Sequence, residues 1–287
     1  MSSYIHTGEK VHSFFSGILF EPIRLVDKVA IITGGARGIG LATCKLFNEH
    51  GAKVIIADVN EEHGRAAALQ LGPSVLYKRT DVTLEAEIQS TVAFALKEFG
   101  KLDIMFNNAG VITPPDDKLE NLDLIEYDRY TSIMVRGVLC GIKHAARAMI
   151  PRKSGTILTT ASVDAVMTGP DLPLIYNLNK NALPGITKIA AFHLGGKGIR
   201  VNCISPHSVP TGMVIDYMQS LGREVEEEKL IAGYTKKSPL LDKHCTREDI
   251  AAAALFLCSN DSNFITGQNL VVDAGFCNFK VFGCVED

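Results

Sequence analysis

Seven short runs rich in β-branched residues, separated by stretches with helical spacing, most constrain what this chain can fold into. The runs are Lys28–Thr33, Lys53–Asp58, Val75–Asp81, Leu102–Asn107, Thr156–Ala161, Arg200–Ser205 and Leu270–Asp273. After the first, Ile39, Ala42, Leu46 and His50 recur at the three- to four-residue interval of a helix face. Strands alternating with helical stretches predict βαβ units and a parallel sheet. Val29-Ala30-Ile31-Ile32 and Val54-Ile55-Ile56-Ala57 are continuously apolar, as strands covered on both faces require. The expected fold class is α/β, one domain built on a doubly wound parallel sheet of about seven strands with helices on both faces. That domain is expected over residues 26–278, after an N-terminal extension, 1–25, and before a C-terminal tail, 279–287.

Composition narrows the function. Charge nearly balances, with 29 Lys+Arg against 32 Asp+Glu, which argues against a nucleic-acid partner and its basic stripe. No apolar run reaches the roughly 18 residues of a membrane span. The seven cysteines are scattered without a CxxC pair, so they read as reduced, mostly buried thiols in a cytoplasmic setting, with no metal site. The apolar stretch Phe14–Phe20 is short, lies between Glu9 and Glu21, and lacks a basic lead-in. It reads as a docked or loose extension, with a targeting segment as the alternative.

Thr33-Gly34-Gly35-Ala36-Arg37-Gly38-Ile39-Gly40 follows the first strand and opens the first helix. Glycines permit a tight turn and close approach to a pyrophosphate, and the helix N-terminus offers free N–H groups and a favourable dipole. Eighteen residues after Gly40, Asp58 ends the second strand, where a carboxylate accepts the hydroxyls of an adenosine ribose and repels a 2′-phosphate. Arg37 pulls toward a 2′-phosphate, but Asp58 holds the ribose position itself. The expected cofactor is NAD in a Rossmann-type site. Two segments interrupt the alternation, 162–176 and 207–241; both follow strands and are candidate walls of a substrate pocket.

With these motifs the sequence resembles the short-chain dehydrogenase/reductase family over about residues 26–276. Thr33–Gly40 matches its TGxxxGxG turn, Asn107-Asn108-Ala109-Gly110 its NNAG motif, and Tyr176 to Lys180 its YxxxK, with Ser162 fourteen residues before the tyrosine. Lys143–Pro151 and Thr160-Ala161-Ser162 carry a closer likeness to plant secoisolariciresinol, xanthoxin, borneol and isopiperitenol dehydrogenases. The resemblance implies that Asp81 and Val82 contact the adenine and that Asn108, Ala109 and Gly110 line the cofactor. It further implies that the segment through Pro206, Val209 and Thr211 holds the nicotinamide. It also implies oxidation of hydrophobic alcohols and a homotetramer or homodimer built through helices near 121–150 and 176–194.

Tyr176 and Lys180 are four apart and share one helix face. An unperturbed phenol, with a pKa near 10, is a poor base at neutral pH. The Lys180 ammonium and the positive nicotinamide ring would lower that value, so that Tyr176 takes the hydroxyl proton while Ser162 orients the substrate. Lys180 would also fix the cofactor ribose. The loops offer Val163, Val166, Met167, Leu172, Leu174, Met213, Val214 and Met218, an apolar wall suited to a lipophilic ligand. The expected reaction is oxidation of a secondary alcohol on a terpenoid or phenolic molecule to a ketone or lactone.

Three departures from the family pattern stand out. Met134 occupies the position of an Asn that in the family holds a water linking the lysine to solvent. A thioether is no equivalent, which raises a non-oxidative alternative: cyclisation or isomerisation of a reactive terpenoid, such as an iridoid or nepetalactol-type cyclase, on an NAD-loaded scaffold. A catalytically silent dinucleotide-binding protein is a third reading, opposed by the intact Ser162, Tyr176 and Lys180. Pro184, one turn beyond Lys180, is expected to kink the helix. His207 replaces the glycine usual after Pro206 and is expected as a solvent-facing loop histidine, with a pocket donor as the alternative.

Overall fold

The structure, a computed structural model, describes residues 23–278 except 115–117, 170–171 and 224. Seven parallel strands form one sheet in the order β3-β2-β1-β4-β5-β6-β7. They are β1 (Val29–Thr33), β2 (Lys53–Asp58), β3 (Val75–Arg79), β4 (Ile104–Asn107), β5 (Gly155–Thr160), β6 (Ile199–Pro206) and β7 (Asn269–Val272). The helices are α1 (Gly38–Glu49), α2 (Glu61–Leu71), α3 (Glu85–Phe99), α4 (Leu124–Thr131), α5 (Gly137–Met149), α6 (Leu174–Gly195), α7 (Gly212–Ser220), α8 (Glu227–Lys237) and α9 (Arg247–Cys258). The expected sheet and strand count are met.

The two-residue period of a strand explains the double winding. Ala30 and Ile32 of β1 join a core with Phe47 of α1 and Ile250 of α9. Val29 and Ile31 join a second core with Met105, Val138 of α5 and Leu183 of α6. Alternate side chains of one strand thus feed opposite layers. Each buried Ile or Val contributes about 1.5–3 kcal/mol by leaving water. Leu25 is wholly buried in the first core, and its N–H donates to the His50 carbonyl, so packing begins just before residue 26.

The functional edge of the sheet is the one formed by the carboxyl ends of the strands. The order reverses between β1 and β4, which leaves a crevice there between the loops that leave the two strands. A Cβ on Gly34, which has φ +64°, would stand 2.9 Å from the Ala109 Cα on the far wall of this crevice, so only glycine fits.

Helix α6 runs from Leu174 to Gly195 with Pro184 inside it. The helix continues past the proline, and the Tyr176–Lys180 turn on its N-terminal side is intact. Residues Ser132–Arg136, between α4 and α5, form a π-turn, and Met134 is buried at its centre. A π-turn inserts a residue and re-aims its side chains. Here it directs Met134 into a cluster with Tyr130 and Ile175. His207 is half-buried, edge-on to Phe276 with ring centroids 4.6 Å apart, rather than solvent-facing. Burial lowers its pKa against the pull of Asp273.

Among the described residues no helix is long and apolar enough to cross a membrane, and no three His, Cys, Asp or Glu side chains are placed to hold a metal. Cys44, Cys140, Cys203, Cys245, Cys258 and Cys277 are free thiols. The apolar stretch Phe14–Phe20, most of the extension 1–25 and the tail 279–287 lie outside the described residues.

Candidate active site

The turn after β1 is a cradle of backbone. Gly34 and Gly38 take positive φ, and a Cβ on Gly40 would lie 2.1 Å from the Gly34 carbonyl oxygen. Residue 37 caps α1 in extended conformation without a side-chain hydrogen bond, which leaves the first amides of the helix for an anion. Ile39 packs against the core beneath it. Asp58, at the end of β2, accepts from the Ala36 N–H at 3.0 Å and from the Asn60 N–H at 3.0 Å, so its carboxylate is locked beside the turn.

Arg37 stands beside the turn. Its guanidinium pairs with Asp216 of α7 at 2.7 Å, with both side chains more than half exposed. The ion pair links the glycine turn to α7, in the segment expected to wall the substrate pocket.

The other cofactor candidates gather around the same crevice. Asn108 donates to the Thr33 carbonyl at 3.1 Å and accepts from the Thr160 hydroxyl at 2.9 Å, tying β1, β4 and β5 together. The Ala109 N–H donates to the Thr33 hydroxyl at 3.0 Å. A Cβ on Gly110 would come within 3.6 Å of Lys180 Nζ, which places the lysine beside this strand end. Asp81 accepts from the Thr83 N–H and hydroxyl, while Val82 is buried. Pro206 closes β6, Val209 is buried, and Thr211 caps α7 with its methyl 3.6 Å from a Cβ on Gly38. The Thr211 hydroxyl is buried without a hydrogen-bond partner. A glycine cradle, a residue packed on it whose buried hydroxyl has no partner, and a fixed carboxylate at the next strand end fit a dinucleotide.

Ser162 follows β5 and is 8% exposed. Its hydroxyl accepts from the Asp164 N–H at 3.2 Å and lies near enough to the Tyr176 phenol to favour its ionised form. Lys180 Nζ donates to the Thr160 carbonyl at 2.9 Å and lies 5.4 Å from the Tyr176 ring centre. Burial lowers its pKa to about 8, against the pull of Asp164. Ser162, Tyr176 and Lys180 are therefore brought together.

The expected lowering of the tyrosine's pKa does not come from the protein's own groups. Burial, then the Asp164 carboxylate, push the phenol upward against the Ser162 hydrogen bond. Asp164 lies outside the motifs read from the sequence. Its position two residues after Ser162, in the turn that hydroxyl caps, was the available signal. Asp216 and Thr160 were missed for want of any local signal.

On the substrate side, Val163 is buried, Met213 and Val214 are half-buried, and Val166 is exposed. A cavity of about 630 Å³ lies beside Val166, Val272, Asp273, Gly275 and Cys277, and Cys277 Sγ meets Met167 Sδ at 3.7 Å. Met134, with Tyr130 and Ile175, presents an apolar cluster to the Tyr176 side of the helix.

Comparison with known proteins gives consistent matches. A family model described as enoyl-(acyl carrier protein) reductase matches residues 34–277. (+)-Borneol dehydrogenase 2 of Salvia officinalis is 41% identical over 258 residues, 89% of this chain and 91% of that protein. Zerumbone synthase of Zingiber zerumbet is 40% identical over 259 residues, 88% of this chain and 96% of that protein. Among solved structures, 3-ketoacyl-(acyl-carrier-protein) reductase from Brucella melitensis, complexed with NADH, superposes with a TM-score of 0.79 at 31% identity. That match covers 88% of this chain and 99% of the other.

Proposed function

The chain belongs to the short-chain dehydrogenase/reductase family, and on that premise we propose that it is an NAD-dependent dehydrogenase of a secondary alcohol on a hydrophobic terpenoid or phenolic molecule, giving a ketone or lactone. The observation that carries the reading is the convergence of Ser162, Tyr176 and Lys180 beside the glycine turn. Bound there, a nicotinamide would supply the hydride acceptor. Asp58 would take the ribose hydroxyls and disfavour a 2′-phosphate, and the Thr211 hydroxyl and the α1 amides would hold polar groups of the cofactor. Tyr176 would move the alcohol proton, Ser162 would hold the substrate oxygen, and Lys180 would fix the ribose.

The relative named as a borneol dehydrogenase supports the alcohol class, and the reductase solved with NADH supports the cofactor. The apolar lining of the loops supports a lipophilic substrate. Met134 favours one second reading, a non-oxidative cyclase or isomerase that keeps NAD as a structural element, because no polar side chain occupies its place. Purified protein with NAD and a panel of cyclic monoterpenols is expected to form NADH. Its failure to do so, with NAD bound and activity gained in Met134→Asn, would transfer the proposal to the second reading.

A cytoplasmic homotetramer or homodimer completes the proposal. Leu124, Ile125, Ile189 and Phe192 on α4 and α6 are 63–85% exposed, an apolar surface that a subunit contact would cover. Sedimentation is expected to give two or four times the 31.1 kDa chain mass; a lone monomer would overturn the assembly.

A further inference from the structure

Resting on the NAD reading, we propose that Asp216 helps to set the dinucleotide preference of the site: by holding the Arg37 guanidinium, it withholds from a 2′-phosphate the cation of the glycine turn. Arg37 follows Ala36, whose N–H donates to the Asp58 carboxylate at 3.0 Å. Its side chain therefore leaves the backbone one residue from the contact with the group that would take the ribose hydroxyls. A guanidinium rooted there suits a phosphate ester, with which it forms charge-assisted, often bidentate hydrogen bonds. Instead, Arg37 Nη1 pairs with Asp216 Oδ2 at 2.7 Å.

Two more guanidiniums border Asp58, and each is matched within its own stretch of chain. Arg79 of β3 stands opposite Asp58 in the strand register and donates to both carboxylate oxygens of Glu87 at 2.8 Å. Arg65 of α2 lies over the Tyr77 ring, whose hydroxyl donates to the Asp58 carbonyl at 2.9 Å, and it pairs with Glu61 at 2.7 Å. Arg37 differs, because its partner is 179 residues away. It also stands at the N-terminus of α1, the positive end of the helix dipole, where a cation is disfavoured and an anion is welcome. The fold supplies that anion from α7.

Helix α7 is seated for this. The methyl of Thr211, its cap, lies 3.6 Å from a Cβ on Gly38, so the helix begins against the turn and carries Asp216 in its second turn. Both partners of the ion pair are more than half exposed, so the pair adds little to folding stability and its removal leaves the fold in place. The same exposure lets the guanidinium reach another anion once Asp216 is gone. Asp216 is thus a positioning residue that acts on cofactor choice through Arg37. Asp58 repels a 2′-phosphate, and Asp216 engages the charge that would offset the repulsion.

The test is equilibrium binding of NAD and of NADP by titration calorimetry, which needs neither substrate nor turnover. In Asp216→Ala the ratio of the NADP to the NAD dissociation constant is expected to fall by about three- to tenfold, with NAD affinity changed by less than about twofold. Asp216→Glu, which restores a carboxylate, should return the ratio toward that of the unaltered protein. The fall should vanish when Asp216→Ala is combined with Arg37→Gln, and should shrink as salt is added. A merely structural role would weaken both dinucleotides alike and leave the ratio fixed, which would overturn the proposal. An equal fall with and without Arg37 would overturn it too, since Asp216 would then act by its own charge. If the unaltered protein prefers NADP or binds neither dinucleotide, the NAD reading fails and the proposal with it. A preference for NAD that shifts in Asp216→Ala, in a protein that oxidises no alcohol, would refute the dehydrogenase and leave the role of Asp216 standing.

Discussion

Tyr176→Phe is expected to reduce NADH formation by about 10²–10⁴-fold, the usual contribution of a positioned acid–base group. The substitution removes one oxygen and leaves the ring packed beside Met134, Tyr130 and Ile175, so neither the fold nor NAD affinity should change appreciably. The effect is large because the alcohol loses its proton acceptor. Lys180 does not substitute, since with a pKa of about 8 it is mostly protonated at neutral pH and it donates to the Thr160 carbonyl at 2.9 Å. The check is single-turnover NADH absorbance alongside NAD binding measured by fluorescence quenching. A loss below about tenfold, with binding intact, would remove Tyr176 from the proton transfer.

The second large effect concerns stability. Asp103→Ala is expected to cost about 3 kcal/mol and to lower the melting temperature by roughly 6–12 °C. Asp103 is 4% exposed and joins three elements: it accepts from the Val29 N–H at 2.9 Å, from Arg152 at 3.0 Å and from Lys101 at 3.1 Å. Alanine leaves that amide buried and unpaired at the entrance to β1, and leaves two cations without their counter-charge. The lower end of the range applies because both cations keep contact with water. Burial raises the pKa of Asp103, but the Val29 amide, Lys101 and Arg152 together bring it below its ordinary value. A depressed folded-state pKa means that this stabilisation is present above the unfolded carboxyl value, near 3.9, and is lost as pH falls through the folded one. Urea unfolding of the two proteins should therefore differ at neutral pH and converge in acid. A gap that persists below both values would assign the effect to packing alone.

Much of the scaffold was legible because its signals are local. Val29-Ala30-Ile31-Ile32 announced a strand covered on both faces, and its residues do divide between the two cores. Thr33–Gly40 announced a backbone cradle, and the contacts that a side chain would make at Gly34 and Gly40 explain why glycine stands there. Pro184 removes one hydrogen bond, yet α6 continues through it from Leu174 to Gly195. His207 misled: its loop position suggests water, but Phe276, nearly seventy residues away, covers its ring.

What the sequence by itself determined is whatever depends on period and spacing: seven strands wound on both faces, a phosphate-sized turn, and a tyrosine and lysine on one face of α6. These follow from backbone geometry acting over a few residues. What only the tertiary structure decided depends on pairs far apart in the chain. It turned Arg37 toward Asp216, set the Thr211 methyl against Gly38 with its hydroxyl buried and unpartnered, and tied the Asp164 carbonyl to two asparagines of α6. Charge and hydrogen-bond partners are chosen by whatever the folded chain brings within about 3 Å, and no local pattern records that choice.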